Sequence, residues 1–455
     1  MDTNWAKKRL GKAVSAAAIV MAASAPAQAV VLLGGNNGWE ISFDGVVGGF
    51  YNYFDSSPAP ATFAVFDGSG ALLNPGIDPT TLLTAGQLGD NTQTSRVRTG
   101  LSPAFFSFNV KSPTVAGLTG SARISFAPAI QNADGRTKNT ISDAGEGARI
   151  DTREVFFNIE GNFGTFSIGR TVSLFQRKTY LADMTWFGMG VSDLPGGQAS
   201  LGRAGYGYLY PNWNARIAYK TPQVNGFQLE LGVFDPAVIR SFAGASCAVN
   251  RLGASATGFC ADNTEKPRFE GEASYATAFN NGTFQAFVSG LWQEADGQFT
   301  NAGLTASRDR NVTAWGLSGG VQLGYKGFEV LGAGYTGRAL GSTLMLDQDA
   351  IDRTGEERDH NGWLAQGTYT WNKQTKIGFS YGESTAKETG TEQADRLSGF
   401  NGAQLKSQTA YTGGVYHNVT SWFKLTAEYT RAERKWFNGA GQDANIYSVG
   451  GFFLW

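Results

Sequence analysis

Short segments in which apolar and polar residues alternate one by one recur along most of this chain. Between residues 39 and 54, for example, Ile41, Phe43 and Val47 share one face, and polar side chains share the other. Strict alternation of this kind is typical of a β-strand with one apolar and one hydrated face. The pattern predicts about sixteen strands, which cover residues 39–54, 99–111, 118–127, 149–160, 163–170, 213–221, 227–234, 269–279, 283–293, 314–325, 328–338, 363–371, 376–383, 407–417, 422–431 and 445–455.

Two kinds of connection join these segments in turn: a long polar loop, and a tight turn such as Asn225-Gly226 or Lys326-Gly327. Turns of these sequences supply the positive φ that a tight hairpin requires. Alternating long and short connections indicate hairpins whose two ends face different compartments. The fold class that we predict is therefore all-β, a closed transmembrane antiparallel barrel with short periplasmic turns and long extracellular loops.

An even number of strands places both termini on the periplasmic side of the barrel. Sixteen strands enclose a hydrated bore, because such a barrel is too wide for side chains to fill. Eighteen strands are the alternative if the loop from Ser56 to Asn91 contains a further hairpin.

The first 29 residues are typical of a signal peptide. Residues 7–12 are rich in lysine and arginine, residues 13–25 are small and apolar, and Ala27-Gln28-Ala29 fits a cleavage site. The apolar stretch is too short to cross a bilayer as a helix. We expect export, followed by folding of residues 30–455 as one barrel domain.

Composition and charge narrow the classes of protein further. Glycine accounts for 61 of 455 residues without a collagen-like period, and the regular apolar runs between the glycines argue against disorder. A formal net charge of −1 argues against a nucleic-acid partner. Cys247 and Cys260 lie in one predicted loop, where a disulfide is the simplest expectation in an oxidising compartment. No histidine lies near them, so we predict neither a metal site nor a cofactor.

Two parts of the chain resemble the general porins of Gram-negative outer membranes. These are REVFFNIEGNFGTFSIGR, from Arg153 to Arg170, and the aromatic last strand, which ends at Trp455. The resemblance covers most of the mature chain in architecture. It implies a sixteen-stranded barrel that is usually a homotrimer and whose third long loop folds into the bore. An outer-membrane position would bring lipid and lipopolysaccharide as partners.

By the same resemblance, the third long loop runs from about Thr171 to Leu201. In the family, acidic residues of this loop face a row of arginines on the barrel wall, and together they form a charged constriction. The residues of this chain that match this arrangement are Arg96, Arg98, Arg170, Arg203, Asp183 and Asp193. In a constriction of this kind, an excess of arginines over carboxylates favours the passage of anions.

These features predict a passive channel for small hydrophilic solutes and ions, and no enzymatic activity. One alternative is a substrate-selective channel for an anion or a sugar, in which Tyr180, Trp186 and Phe187 of the third loop guide the substrate. A more distant alternative is an outer-membrane hydrolase, because Ser318 lies in a G-x-S-x-G sequence. That motif requires a strand–turn–helix context, whereas here it lies within an alternating segment. Both histidines of the chain are expected to be exposed.

Overall fold

The computed structural model describes residues 30–34, 37–57, 92–130, 150–192, 200–241, 260–300, 307–347, 349–398 and 404–455. Its strands are β1 (Val30–Gly34), β2 (Glu40–Ser56), β3 (Thr92–Arg98), β4 (Phe105–Lys111), β5 (Thr119–Pro128), β6 (Ile150–Gly161), β7 (Gly164–Val172), β8 (Val191–Ser192), β9 (Ser200–Gly202), β10 (Trp213–Lys220), β11 (Phe227–Phe234), β12 (Ile239–Arg240), β13 (Cys260–Ala261), β14 (Arg268–Phe279), β15 (Gly282–Thr300), β16 (Ser307–Tyr325), β17 (Phe328–Arg338), β18 (Asp359–Trp371), β19 (Thr375–Ala386), β20 (Leu405–Asn418), β21 (Phe423–Trp436) and β22 (Gly441–Leu454). The helices are α1 (Arg177–Ala182) and α2 (Gly390–Ser398), with a 3-10 turn at Met184–Phe187. Neither helix has the length and apolar composition needed to cross a membrane.

Eighteen of these strands form one antiparallel sheet that closes on itself. β2 pairs with β22 on one side and with β3 and β4 on the other. β1 and β22 pair with successive parts of one edge of β2, and β3 and β4 pair with successive parts of its other edge. Each of these two pairs therefore occupies a single position, and the wall has sixteen strand positions. The predicted sixteen-stranded barrel is confirmed, and direct pairing of Ser56 with Thr92 leaves no place for a further hairpin in the wall there.

The last residue of the chain completes the ring. The backbone N–H of Trp455 donates to the carbonyl of Gly45, and the N–H of Gly45 donates to the carbonyl of Trp455, each at 3.1 Å. The indole ring lies over Gly45, where an added Cβ would come within 2.2 Å of it. Glycine at this position therefore lets the terminal aromatic side chain cover the seam of the barrel.

The connections at one end of the barrel are short, and we call this end the short-turn end; the opposite end is the long-loop end. At the short-turn end, Asn225 and Gly226 have φ values of 50° and 91°, and Lys326 and Gly327 have values of 47° and 88°. Positive φ at two successive residues is the geometry of a type I′ turn, as their sequences predict.

Two hairpins extend further at the long-loop end than predicted. β15 and β16 pair from Gly282 with Tyr325 as far as Thr300 with Ser307, and β21 and β22 continue to Lys435 and Gly441. The predicted strands ended earlier because alternation fades where both faces are polar. A backbone ladder needs no apolar face once it has left the lipid, so the polar segments extend the strands.

The outward face of the wall is apolar and the inward face is polar, as the alternation predicts. On the outward face, Ile217 is 57% exposed and Leu231 is 53% exposed. An aromatic row near the long-loop end contains Tyr411, Tyr429 and Tyr447, with neighbouring ring centroids 6.4 and 5.1 Å apart. Aromatic residues at the edges of an apolar band are typical of barrels in a bilayer.

Loop segments fill part of the interior, whereas the strand number alone predicts an open hydrated bore. The described residues of the third loop, 173–192 and 200–212 between β7 and β10, enter the barrel, and so does the connection that follows β17. Phe175 of the third loop and Leu340 and Leu346 of that connection pack against Leu291 of β15 and Val312 of β16. Loops that enter a barrel bring apolar side chains of their own, and one side of the interior is therefore a packed core.

Three predictions fall wholly or partly outside the described residues. The signal peptide at residues 1–29 and Asp193 lie outside them. Cys260 is disulfide-bonded, and the other cysteine of the chain, Cys247, also lies outside the described residues.

Candidate functional site

The first part of the third loop, the α1 segment (residues 173–182), is fixed by carboxylates of the wall. The Glu270 carboxylate on β14 accepts hydrogen bonds from the backbone N–H groups of Leu174 and Phe175, at 2.7 and 2.9 Å. The Arg177 guanidinium donates to Glu230 at 2.8 Å and to Glu272 at 2.6 Å. Burial opposes the charge of Arg177, but Glu272 and Glu230 outweigh it and raise its pKa.

The next part, the tip segment (residues 183–192), is fixed to a different region of the wall. One oxygen of Glu428 on β21 accepts hydrogen bonds from the N–H groups of Met189 and Gly190, both at 2.8 Å. Its other oxygen accepts from the Tyr416 hydroxyl at 2.6 Å. Gln366 on β18 accepts from the N–H of Met184 at 2.7 Å and therefore adds a third strand to this contact.

The loop therefore crosses the barrel from side to side. Its anchors Glu270 and Glu428 lie on β14 and β21, which are separated by six wall strands on one side and by eight strand positions on the other. The predicted inward fold of the third loop is confirmed. A loop that is fixed on nearly opposite sides narrows the space through which a solute can pass.

Asp183 and Arg203, two of the predicted constriction residues, belong to the loop and are buried. Asp183 accepts hydrogen bonds from the Tyr208 hydroxyl at 2.6 Å and from the N–H of Arg203 at 3.1 Å. The Arg203 side chain is fully buried and donates to Thr412 at 3.1 Å and to the Ala410 carbonyl. Burial lowers the pKa of Arg203 to about 10, which leaves it charged at neutral pH. Arg203 therefore holds the loop against β20, whereas Asp183 joins two parts of the loop to each other.

Arg96 and Arg98 lie on the inward face of β3. Arg98 is 2% exposed, whereas Arg96 is partly exposed. Arg96 pairs in register with Asn52 of β2, whose side chain donates to the Ser192 hydroxyl in the third loop at 2.8 Å. The structure thus places both arginines on the wall beside the tip segment.

Arg170 does not lie in the bore, and the prediction for this residue is wrong. It is exposed on the outward face of β7, the face that also carries Phe166 and Ile168. Its partners in register are Val155 and Ala215, which are also exposed. The sequence contained the signal, because residues 166, 168 and 170 have the same parity in an alternating strand.

Arg123 on β5 forms a charged cluster that the sequence analysis did not identify. Its guanidinium donates to Asp44 and to Glu154, both at 2.7 Å, and to Asn109 at 2.8 Å. Arg123 and Asp44 are 26% and 25% exposed, so both reach the open part of the lumen. Alternation in β5 places Arg123 inward, but its partners could be found only from the pairing of the strands.

The aromatic residues of the third loop pack the loop instead of lining a path. Tyr180 is fully buried, and its ring lies 4.9 Å from that of Trp186 in a T-shaped arrangement. Phe187 packs edge to face on Phe452 of β22, with ring centroids 5.3 Å apart. The substrate-selective alternative requires exposed rings that guide the substrate, and the buried Tyr180 cannot be one of them.

The hydrolase alternative requires a histidine beside Ser318, and in the described part of the chain the histidines have other partners. Ser318 lies within β16, opposite Ser289 and Tyr335. The His360 Nε2 lies 3.1 Å from the Asp349 carbonyl, and the His417 Nδ1 lies 2.8 Å from the Thr375 hydroxyl. His360 is 1% exposed, which corrects the expectation that both histidines are exposed. His360 is the second residue of β18, and the connection between β17 and β18 packs against its ring.

Comparison with known proteins agrees with this architecture. The family model described as Gram-negative porin matches residues 13–436. The outer membrane channel DcaP of Acinetobacter baumannii is similar in fold, with a TM-score of 0.61 and 13% identity over 94% of this chain and 100% of that chain. An anion-selective porin from Comamonas acidovorans has a TM-score of 0.53 and 13% identity over 92% of this chain and 100% of that chain.

Such low identities show a shared fold, and no curated protein sequence matches significantly. The family match, by contrast, covers most of the sequence. The chain therefore belongs to the Gram-negative porin family and is an outer-membrane channel.

Proposed function

We propose that the protein is a passive channel for small hydrophilic solutes and ions, with its narrowest part beside the third loop. The observation that carries this proposal is the loop that spans the interior between Glu270 and Glu428. A fixed loop inside a hydrated barrel restricts passage by size, and the charges around it restrict passage by sign.

Charges at the constriction come from the wall in this proposal. Arg96 on β3 is partly exposed and supplies positive charge beside the tip segment, and the buried Arg98 lies on the same face of β3. Arg203 and Asp183 act by holding the loop in place. Asp193 remains a proposed acidic partner, and Arg170 has no part in the constriction. Positive charge of the wall at this place favours anions.

Liposome swelling with neutral sugars of increasing size tests the passive function. We expect swelling rates that fall smoothly with the size of the sugar and do not saturate with its concentration. Rates that saturate for one sugar would support the substrate-selective alternative, and impermeable liposomes would contradict both.

Reversal potentials in a salt gradient test the role of charge. Arg96→Gln is expected to shift the reversal potential away from anions, because it removes an inward charge. Arg170→Gln is the matched control, since that arginine lies on the outward face of β7. An equal shift in both variants would contradict the proposed constriction.

We also infer a homotrimer that is exported by a signal peptide at residues 1–29 and surrounded by outer-membrane lipid and lipopolysaccharide. Family membership supports the assembly and the export, and the exposed apolar face supports the contact with lipid. N-terminal sequencing of purified protein is expected to begin at Val30. Its mass in detergent is expected to be that of three chains.

A further inference from the structure

Two lysines face the interior near the short-turn end, beneath the tip of the third loop. Lys376 is the second residue of β19, and Lys424 is the second residue of β21. β20 lies between them, and its Tyr416 pairs in register with Lys376 on one side and with Thr426 on the other. Three adjacent strands therefore bring the two ammonium groups to one part of the lumen.

Each ammonium group lies over an aromatic ring. The Lys424 Nζ is 3.8 Å from the centroid of the Phe187 ring, which belongs to the third loop. The Lys376 Nζ is 5.3 Å from the centroid of the Tyr416 ring. The Lys424 residue is only 4% exposed, so its charge has lost most of its contact with water. Aromatic faces position a cation but do not neutralise it.

Neither lysine forms an ion pair with a carboxylate in the part of the chain that the structure describes. The carboxylates within electrostatic reach of Lys376 are Glu329, Asp183 and Glu428. The second and third already accept hydrogen bonds from groups of the third loop, whereas Glu329 lies on β17, with β18 between it and β19. Lys376 is a charged neighbour of Lys424 and repels that group.

Two arginines inside the barrel are compensated in a way that these two lysines are not. Arg177 contacts two carboxylates and so does Arg123. A buried cation without a counter-ion is unfavourable in the empty site and becomes favourable when an anion is bound. Lys376 is partly exposed, so the lysine pair presents positive charge to a solute at this residue.

We propose that Lys376 and Lys424 form a binding subsite for small oxyanions, carboxylates or phosphates, on the side of the third loop that faces the short-turn end. This inference rests on the proposed channel function and names the class of solute that its lumen holds. Ammonium groups act as compact point charges with several donors, which suits a small oxyanion of either kind. Because Phe187 belongs to the tip segment, a bound anion lies next to the constriction and slows ion flow.

Single-channel recording in potassium chloride, with succinate or inorganic phosphate added, tests the subsite. We expect each anion that binds there to reduce the wild-type current in a saturable manner. Lys376→Met with Lys424→Met keeps the side-chain volume and removes both charges, and it is expected to weaken the block about tenfold or more. The corresponding double substitution to arginine is expected to retain it.

Lys326→Met is the matched control. Its ammonium lies over the Tyr325 ring at 5.1 Å, but the residue is exposed in a short turn. We expect unchanged block in this variant. Block by succinate alone or by phosphate alone would identify the preferred anion. Conducting channels whose block is equal in wild type and in the double methionine variant would overturn the subsite alone, whereas bilayers without any channel activity would overturn the proposed channel.

Discussion

A wall carboxylate binds backbone N–H groups in both parts of the third loop, but the cations near the two parts differ. In the α1 segment, Arg177 is bound by Glu230 and Glu272, so that cation and carboxylates compensate each other. In the tip segment, Glu428 binds neutral donors from the loop and from the wall. The nearby Lys424 contacts an aromatic ring instead of a carboxylate.

This difference separates two tasks of charge inside a barrel. Charges that are paired and buried fix geometry, because removal of either partner leaves the other uncompensated. Charges without a partner create a field in the lumen and attract solutes of opposite sign. The α1 segment thus positions the loop, whereas the wall beneath the tip segment acts on the solute.

Arg177→Met is expected to have the largest effect on stability. It leaves Glu230 and Glu272 with weaker partners, Arg216 at 3.1 Å and Lys178 at 3.7 Å. Loss of one partner of a buried pair costs about 3–5 kcal/mol. Denaturant unfolding in detergent measures this cost.

The control for this substitution is Arg338→Met. That arginine pairs with Asp359 at the long-loop end, where the two side chains are 51% and 36% exposed. We expect a cost below about 1 kcal/mol for an exposed pair. If both variants lost equal stability, the distinction between positioning charges and other charges would fail.

Glu428→Gln is expected to have an intermediate effect. The amide retains one acceptor oxygen but loses the charge that strengthens the bonds to Met189, Gly190 and Tyr416. Hydrogen bonds to charged groups contribute about 1.5–3 kcal/mol each, so partial loss loosens the tip segment. We expect noisier single-channel currents at unchanged ion selectivity. A quiet current identical to wild type would show that the tip segment is held by other contacts.

Arg123→Met probes the opposite wall. The substitution leaves Asp44 and Glu154 without their common partner in the open lumen. We expect a shift of the reversal potential towards cations with little loss of stability, because the cluster is partly hydrated. A shift towards anions would contradict the view that unpaired charges set selectivity.

The smallest effect is expected at helix α2, far from the third loop. Glu392 accepts a hydrogen bond from the N–H of Thr389 at 3.0 Å and lies 3.3 Å from the Arg358 guanidinium. Burial raises the pKa of Glu392 to about 7, although Arg358 opposes this. The folded helix therefore binds a proton more tightly than the unfolded segment, and its stability falls as pH rises towards and through 7.

Amide exchange of residues 390–398, corrected for intrinsic rates, is expected to show weaker protection at pH 8 than at pH 5. Glu392→Gln removes the titrating group and is expected to abolish this difference. Selectivity is expected to stay the same in this variant, since the helix does not touch the lysine pair. A pH dependence that persists in the variant would assign it to another group.

The wall of the barrel could be predicted from the sequence because each strand carries its own signal. Alternation identified sixteen strands with one apolar and one polar face. It failed where both faces become polar, as in the outer parts of β15 and β16. Alternation also did not predict the apolar core on the inner face of the same strands, where Val312 packs against a loop from elsewhere in the chain.

The site was less predictable than the wall. Asp183, Arg203, Arg96 and Arg98 were assigned by resemblance, and the structure places them on or against the inner wall. The anchors of the third loop could not be found, because a carboxylate such as Glu270 binds backbone groups whose position depends on the path of the loop. For Arg170 the resemblance gave the wrong face, whereas alternation within its own strand indicated the outward face that the structure has.

The accessibility of the third loop in conducting channels tests the central claim most directly. Lys178→Cys places a thiol on helix α1, and Leu317→Cys places one on the outward face of β16, where the native side chain is 52% exposed. Both variants would be recorded in planar bilayers while a charged thiol reagent is added. We predict discrete ohmic steps whose size falls on modification of the first variant and stays constant in the second. Silent bilayers, or a fall in the second variant alone, would contradict a channel that is narrowed by its third loop.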